Sequence, residues 1–576
     1  MLHSKPMTAP KSLIRTRRNL LASVTFASLT ILAVSAGASP QDGEIASARM
    51  TAQSAVQSGD CVEAYEIYAR VAVQGGRALD FVAAGECAVR LGRPADAAHA
   101  FWNAAERIDQ LDDAQALYVL RSLAYQAEAA GQLPRSRMAW DRVANRSGES
   151  GDRVMAARAA RLDGRGGAAG AQLNRVNAAD LSGAALATYY EEMARSLAEQ
   201  QPSAAAMYFE RAIAVEDAAY RQFELALLLD RAGRGADAAR AFETALAREP
   251  DNVDILLSAG YSARRNGRNE DAARYFERAM ALDPDREGLA EDLGYALKDA
   301  DDEAGAASAF RLAVDRLLDD PSADPGQTYR LRREIEELED NRYAYAFLSY
   351  RDTGAGNGPN LPELGPVESQ IGGEFGWRPD ALNGQGTGVT LYGRGYASLG
   401  GRDFSLDEDS LQLGVGARWK PFAQQDINLS VERLIAGGDL ARDAWLLRAS
   451  AGWSDGLDWN PAEDSWNYTA LYGDLAYIPD DPEYFSAYAS VRQGRRFRTG
   501  DGWAVTPYVV GVAQYSEDGF ANRDRFEAGA GVAVSRWLDQ DRYRAYRQRI
   551  DFELEYRFGL GDDDEDAAIA RVIWNF

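Results

Sequence analysis

Histidine is nearly absent from this chain of 576 residues, which has only His3 and His99. A Ser-His-Asp triad, a Cys-His pair or a histidine-rich metal site would have to be built on one ring flanked by Ala98 and Ala100, so no catalytic or metal site is expected. Cysteine is equally scarce. Cys61 and Cys87 fall on neighbouring expected helices, where they form either a disulfide, as export would permit, or two buried thiols. Positive charge is in deficit: 63 Lys and Arg against 88 Asp and Glu leave a net charge of -25, the wrong sign for nucleic acid. No cofactor is expected either, since the glycine-rich string at 384–388 lacks the strand-to-helix setting and lysine of a phosphate loop. Long apolar runs are missing after residue 38, so a membrane crossing there has to be made by strands rather than a helix of about twenty apolar residues.

What is present begins with an export signal. Lys11, Arg15, Arg17 and Arg18 precede an apolar run at 20–34 and an Ala36-Gly37-Ala38 cleavage site, giving a signal peptide over 1–38. The run is short for an anchor helix, which is the competing reading. Thr16-Arg17-Arg18-Asn19-Leu20-Leu21 also has the look of a twin-arginine signal, but that route carries folded cargo, and the general secretory route suits a chain that folds later.

Residues 39–318 repeat. Leu225, Ala226, Leu229, Ala238, Phe242, Ala245 and Pro250 recur 34 residues on as Ala259, Gly260, Ala263, Ala272, Phe276, Ala279 and Pro284, and again as Leu293, Gly294, Leu297, Ala306, Phe310 and Ala313. Small residues where two helices touch, with a large aromatic plugging the next unit, resemble the tetratricopeptide repeat. Gly85, Ala97, Phe101 and Ala104 keep the offsets upstream, as do Ala205, Phe209 and Ala212, so seven or eight helix pairs are expected from near Ala46 to Leu318. The Gly-, Ala- and Arg-rich stretch 148–170 breaks the phase and is expected as an irregular turn. Such arrays present a concave face to peptides or partner proteins.

A linker is expected over 319–342, with a charged helical stretch at 331–338. From Tyr343 the period becomes two. Candidate strands are 343–351, 368–377, 388–398, 410–419, 426–434, 444–453, 468–477, 484–494, 504–515, 525–535, 549–558 and 568–576, an even dozen as single-chain barrels favour. Phe552, Leu554, Tyr556 and Phe558 alternate with Asp551, Glu553, Glu555 and Arg557, and Trp377, Trp419, Trp453, Trp503, Tyr477, Tyr515 and Phe558 sit at strand ends. Aromatic girdles at the ends distinguish a membrane barrel from a soluble sandwich. In the last strand Val572, Trp574 and Phe576 mark an apolar face for insertion, and Asn575, Ile573 and Arg571 a mixed one.

The fold class is therefore α+β and multidomain: an N-terminal all-α tetratricopeptide-like solenoid, then a C-terminal antiparallel transmembrane β-barrel of about 12 strands over 343–576. With the repeats in the periplasm, loops 352–367, 399–409, 435–443, 516–524 and 559–567 face outward, the acidic run 562–566 among them, and 454–467 is an unusually long periplasmic turn. Strand parity nominates Glu432, Arg448, Asp474, Arg492, Glu527, Glu553, Glu555 and Arg557 for the lumen. Such charges suit a hydrated path or internal bracing, and a close carboxylate pair that trims a glycan is the enzymatic alternative.

Tyr472-Gly473-Asp474-Leu475-Ala476-Tyr477, the stretch 484–497 with Gln493-Gly494-Arg495, and the tail 572–576 resemble the C-terminal domain of the bacteriophage N4 adsorption protein A family. The resemblance implies an outer-membrane protein that phage can use as a receptor, tied to secretion of a surface polysaccharide beside an inner-membrane glycosyltransferase complex. The layout also resembles exporters of cellulose and of poly-N-acetylglucosamine, although a barrel this small leaves a narrow lumen. Two functions follow as expectations: an exopolysaccharide export pore fed by the repeats, or a closed barrel anchoring a scaffold for periplasmic proteins in outer-membrane lipid.

Overall fold

The computed structural model describes residues 40–352, 369–384, 387–400, 405–480, 483–517, 522–561 and 565–576. The expected signal peptide, Asp562 to Asp564 of the acidic run and much of the outward loops lie outside the described residues. The chain divides into two compact units between Leu197 and Ala198.

The first unit holds helices α1 to α9. Its core is made of alanines that let helices approach closely, wedged by Phe101, Leu120, Leu123 and Trp140, each at most 1% exposed. A side chain on Gly85 in α3 (Ala78–Arg90) would come within 2.9 Å of the Phe101 ring on α4 (Pro94–Ala105), which is why that position is bare. The stretch 148–170, expected as an irregular turn, is helical: α7 (Ser150–Leu162) and α8 (Gly166–Leu173). Its glycines misled because Gly148 (φ 70°) and Gly164 (φ 72°) terminate helices in the left-handed region, while Ala156, Ala157, Ala159 and Ala160 supply a buried face.

The second unit opens with α10 to α17 and ends in a sheet. Leu225, Ala238, Phe242, Ala245, Gly260, Ala272, Phe276, Ala279, Leu293, Gly294 and Phe310, the expected repeat core, are all buried. They lie on α11 (Ala219–Arg231), α12 (Gly235–Arg248), α13 (Val253–Arg265), α14 (Asn269–Leu282), α15 (Leu289–Asp299) and α16 (Glu303–Asp319). A Cβ on Gly260 would sit 2.7 Å from Phe276, and one on Gly294 2.5 Å from Phe310, so each aromatic packs on the bare backbone of the preceding helix. Within 319–342 the structure has helix α17 (Pro325–Glu339), N-capped by Asp324 and started by Pro325.

Twelve long strands follow: β1 (Arg342–Arg351), β2 (Gln370–Trp377), β3 (Thr387–Gly400), β4 (Gln412–Lys420), β5 (Asp426–Ala436), β6 (Ala444–Asp455), β7 (Ser465–Ile478), β8 (Tyr484–Gly500), β9 (Trp503–Glu517), β10 (Asn522–Leu538), β11 (Gln548–Gly559) and β12 (Ala567–Asn575), with two further strands of two residues each. Every neighbouring pair is antiparallel, and β1 pairs with both β2 and β12, placing Tyr345 opposite Glu374 and Asn575. The sheet is thus a closed 12-stranded barrel with no free edge. Each strand expected from the sequence overlaps one observed strand. The long turn at 456–464 holds no missed strand, since β6 runs to Asp455 and β7 starts at Ser465.

Pleating sorts the side chains. Phe552, Leu554, Tyr556 and Phe558 point outward at 47 to 61% exposure, while Asp551, Glu553, Glu555 and Arg557 point inward at 8% or less. Trp377, Trp419, Trp453, Trp503 and Trp574 are exposed at the end near α17, and Trp445, Phe526 and Phe558 at the far end. Two aromatic girdles around an apolar band are the pattern of a barrel that spans a bilayer. Among the described residues no helix is long and apolar enough to cross a membrane.

Candidate functional site

The inward face of the barrel is where the chemistry collects. Alternation aims one side chain in two from each strand at the axis, and closure brings charges distant in sequence within bonding range. On one wall, Arg571 binds Glu553 at 2.9 Å and Glu555 at 3.0 Å, and Arg492 reaches the same two carboxylates at 3.2 and 3.0 Å. Arg557 joins Glu555 to Glu527 at 3.0 Å, and Arg351 closes on Glu527 from β1. Tyr508 donates its hydroxyl to Glu555 at 2.8 Å. The result is a chain of alternating sign from Arg571 through Glu553, Arg492, Glu555, Arg557 and Glu527 to Arg351.

Separate pairs fill the other walls. Arg394 donates to Glu432 at 2.8 Å, with Tyr392 on the second oxygen at 2.9 Å. Arg448 pairs with Asp474, and Tyr472 lies beside both. Nearer α17, Arg418 and Tyr343 converge on Glu374 at 3.1 and 2.6 Å. Glu432 is 1% exposed, Glu527 and Arg557 2%, Asp474 3% and Glu555 4%, so this lumen is filled by its own side chains. Ion pairs drawn out of water this far add little net stability over apolar packing, but removing one partner strands the other. Their effect is to fix which groups face which across the barrel.

All eight lumen residues nominated from the sequence point inward, and Arg492, Glu527, Glu553, Glu555 and Arg557 meet in one network. Sequence parity missed Arg351, Glu374, Arg394, Arg418 and Arg571. Arg571 shares the mixed face already read for the last strand. Glu374 and Arg394 were masked by glycines, since Gly372, Gly373 and Gly376 on β2 and Gly393 and Gly395 on β3 erase the alternation that would have marked them. Tyr468 and Tyr508 stack edge-on at 6.2 Å, and Tyr472 lies 6.3 Å from Tyr488, giving the lumen one tyrosine-rich wall.

Val572, Trp574 and Phe576, singled out for insertion, lie by the β1 seam, where Leu348 faces Val572 and Phe576 exchanges backbone hydrogen bonds with Ala344. Cys61 and Cys87 are free thiols in one small buried cluster with Ala55 and Ala64. Burial, with Cys61 alongside, pushes the Cys87 thiol up to about 11. His99 is exposed on α4 beside Asn103. Among the described residues no group of three or more His, Cys, Asp or Glu side chains is placed to hold a metal ion.

A helical-repeat array followed by a closed, charge-filled barrel with an apolar outer band defines a repeat-and-barrel protein of the bilayer-spanning class. Residues 403–571 match the family model described as Bacteriophage N adsorption protein A C-term, and residues 223–287 and 259–321 match the tetratricopeptide repeat. The resemblances read from both halves of the sequence therefore hold. Bacteriophage adsorption protein A of Escherichia coli strain K12 is 24% identical over 467 residues, 76% of this chain and 46% of that protein. The chain thus spans about half the length of that curated relative. Among solved structures, MamA is 18% identical over 29% of this chain and 92% of its own, at a TM-score of 0.27. YrrB, described as a TPR protein with an unusual peptide-binding site, is 17% identical over 34% of this chain and 97% of its own, at 0.28. Overlaps this small carry no functional argument.

Proposed function

We propose that this chain is an outer-membrane protein whose barrel is sealed: it anchors the helical repeats in the periplasm as a docking scaffold for partner proteins and shows the cell exterior a surface to which phage adsorb. The packed, mutually paired charges of the lumen carry this reading, because an open conduit would leave its carboxylates hydrated rather than 1 to 8% exposed. The relative's name supports the phage face, and the repeats support protein partners. Planar-bilayer recording of the purified chain tests the seal; steady conductance overturns it. Loss of phage adsorption on deleting the gene, restored by the barrel alone, tests the receptor half.

The tyrosine wall favours a second reading, in which the lumen parts to pass an extended glycan handed on by a glycosyltransferase complex. Aromatic rings offer sugars weak, repeated stacking, as a sliding polymer needs. Reversing Glu553 and Glu555 to lysine changes polysaccharide secretion under this reading and leaves it intact under the first.

A further inference from the structure

The turn between β6 and β7 is longer than a hairpin needs, and its contacts do not follow the wall. Residues 456–464 cross the mouth of the barrel. The Leu457 carbonyl accepts from Arg549 on β11 at 3.2 Å and from Arg496 on β8, and Arg496 also donates to the Gly456 carbonyl at 3.2 Å. Trp459 is 6% exposed and wedges between Trp466 of β7 (6.0 Å, edge-on), Trp537 of β10 (5.4 Å) and Tyr546 of the β10–β11 turn (5.9 Å). A turn rooted at β6 and β7 can touch β10 and β11 only by lying over the opening. It is held open-handed from the lumen side too, since Arg496 stacks on Tyr468 and Trp537 while its Nε donates to Thr506 at 2.9 Å.

The other face of the same turn is gripped by the helices. Asp458 accepts from its own neighbour Trp459 N at 2.8 Å, from the Tyr329 hydroxyl of α17 at 2.9 Å and from Arg333 of α17 at 3.0 Å. Tyr329 is 6% exposed and belongs to the same buried cluster as Trp459, Trp466 and Trp537. The adjoining β10–β11 turn is tied down as well: Arg544 binds Glu339 of α17 at 2.9 Å, and Arg542 binds Asp315 of α16 at 2.7 Å. One carboxylate therefore serves both the fold of the turn and its attachment to α17.

We infer that residues 456–464 are a plug seated in the helix-proximal mouth of the barrel and latched there by α17, so that a pull on the helical repeats adjoining the barrel is the event that unseats it. This extends the sealed-barrel reading by naming where and how the seal is controlled. Unseating removes the carbonyl oxygens that Arg496 and Arg549 bind and frees N–H donors on both guanidinium groups for a polyhydroxylated ligand, while Arg549 keeps its pair with Asp551 at 2.8 Å and Arg496 its bond to Thr506.

Ser535, fully buried and donating to Asp551, the partner of the Arg549 that holds the Leu457 carbonyl, is the reporter. The full chain carrying Cys61→Ala, Cys87→Ala and Ser535→Cys is treated with a charged, membrane-impermeant maleimide in detergent, and folded barrel is scored by heat-dependent gel mobility. With the turn intact, labelling is absent over hours. Replacing 457–462 by two glycines, or releasing the latch with Tyr329→Phe and Arg333→Ala, raises the labelling rate at least tenfold in chains that still run as folded barrel. The latch variant keeps the test decisive if the shortened turn does not fold. Equal labelling with the turn intact, or no gain in the latch variant, overturns the inference. Conductance of the unaltered chain would instead overturn the sealed-barrel reading, so the two failures are told apart.

Discussion

Glu555 is held by Arg492, Arg557, Arg571 and Tyr508 at once. Glu555→Gln leaves buried guanidinium groups short of a partner, and such a loss costs about 3–5 kcal/mol; the temperature at which the folded band disappears from gels should fall markedly, whereas Glu517→Gln at an exposed strand end should leave it unchanged. In the repeats, Phe310 is fully buried against the bare backbone of Gly294. Phe310→Ala should cost about 3–5 kcal/mol by helical circular dichroism during denaturation. Glycine 294 and phenylalanine 310 could be paired from sequence because the 34-residue period repeats the same two residue types. Arg351 and Glu527 could not, since 176 residues separate them and only barrel closure brings them together. For Cys87, a thiol raised from 9.0 to about 11 has a thiolate fraction about a hundredfold lower at pH 8. Alkylation of the folded chain should be slower by about that factor than after unfolding, followed by mass.

Elements were readable where one period ran uninterrupted. β11 alternates without a break and was found almost to the residue; β8 and β10 extend to 17 residues each because their ends continue beyond the girdles into turns, where alternation no longer separates lipid from lumen. The helices α7 and α8 were misread because alanine faces carry no large apolar residue to mark a period. Leu554 sits mid-strand at 61% exposure on the apolar band. Leu554→Arg should destabilise the barrel by about 2–4 kcal/mol if it lies near the bilayer midplane, read from urea unfolding in vesicles. On α5 (Asp113–Ala129), burial with Glu86 beside it pushes the Tyr118 phenol up to about 12, from about 10 when unfolded. The folded state keeps that proton while the unfolded chain has released it, so this stabilisation is complete below about pH 10 and drains away as pH climbs toward 12. Alkaline melts should show the loss in that window, and Tyr118→Phe should blunt it.

At the scale of the molecule, the net charge of -25 is not carried by the barrel interior, where each buried carboxylate described above meets an arginine. The surplus belongs to helices and loops, which keeps the exposed parts soluble and repels other acidic surfaces. The order of the two halves and the number of strands followed from the change of period at Tyr343. Whether the lumen was filled did not, because parity says which side chains face the axis and nothing about whether they meet across it. Recordings on the unaltered chain should show no steady current, and reversing both Glu553 and Glu555 to lysine should raise leak by setting like charges against Arg492 and Arg571.

The seam between β1 and β12 joins Tyr345 to Asn575, partners 575 − 345 = 230 positions apart. Drawing together ends that distant costs roughly 5 kcal/mol in chain entropy before any bond forms there. Until that stitch is made, the nascent sheet exposes two raw borders able to recruit strands from other copies. Biogenesis of this protein is therefore a race between zipping shut and polymerising with its neighbours.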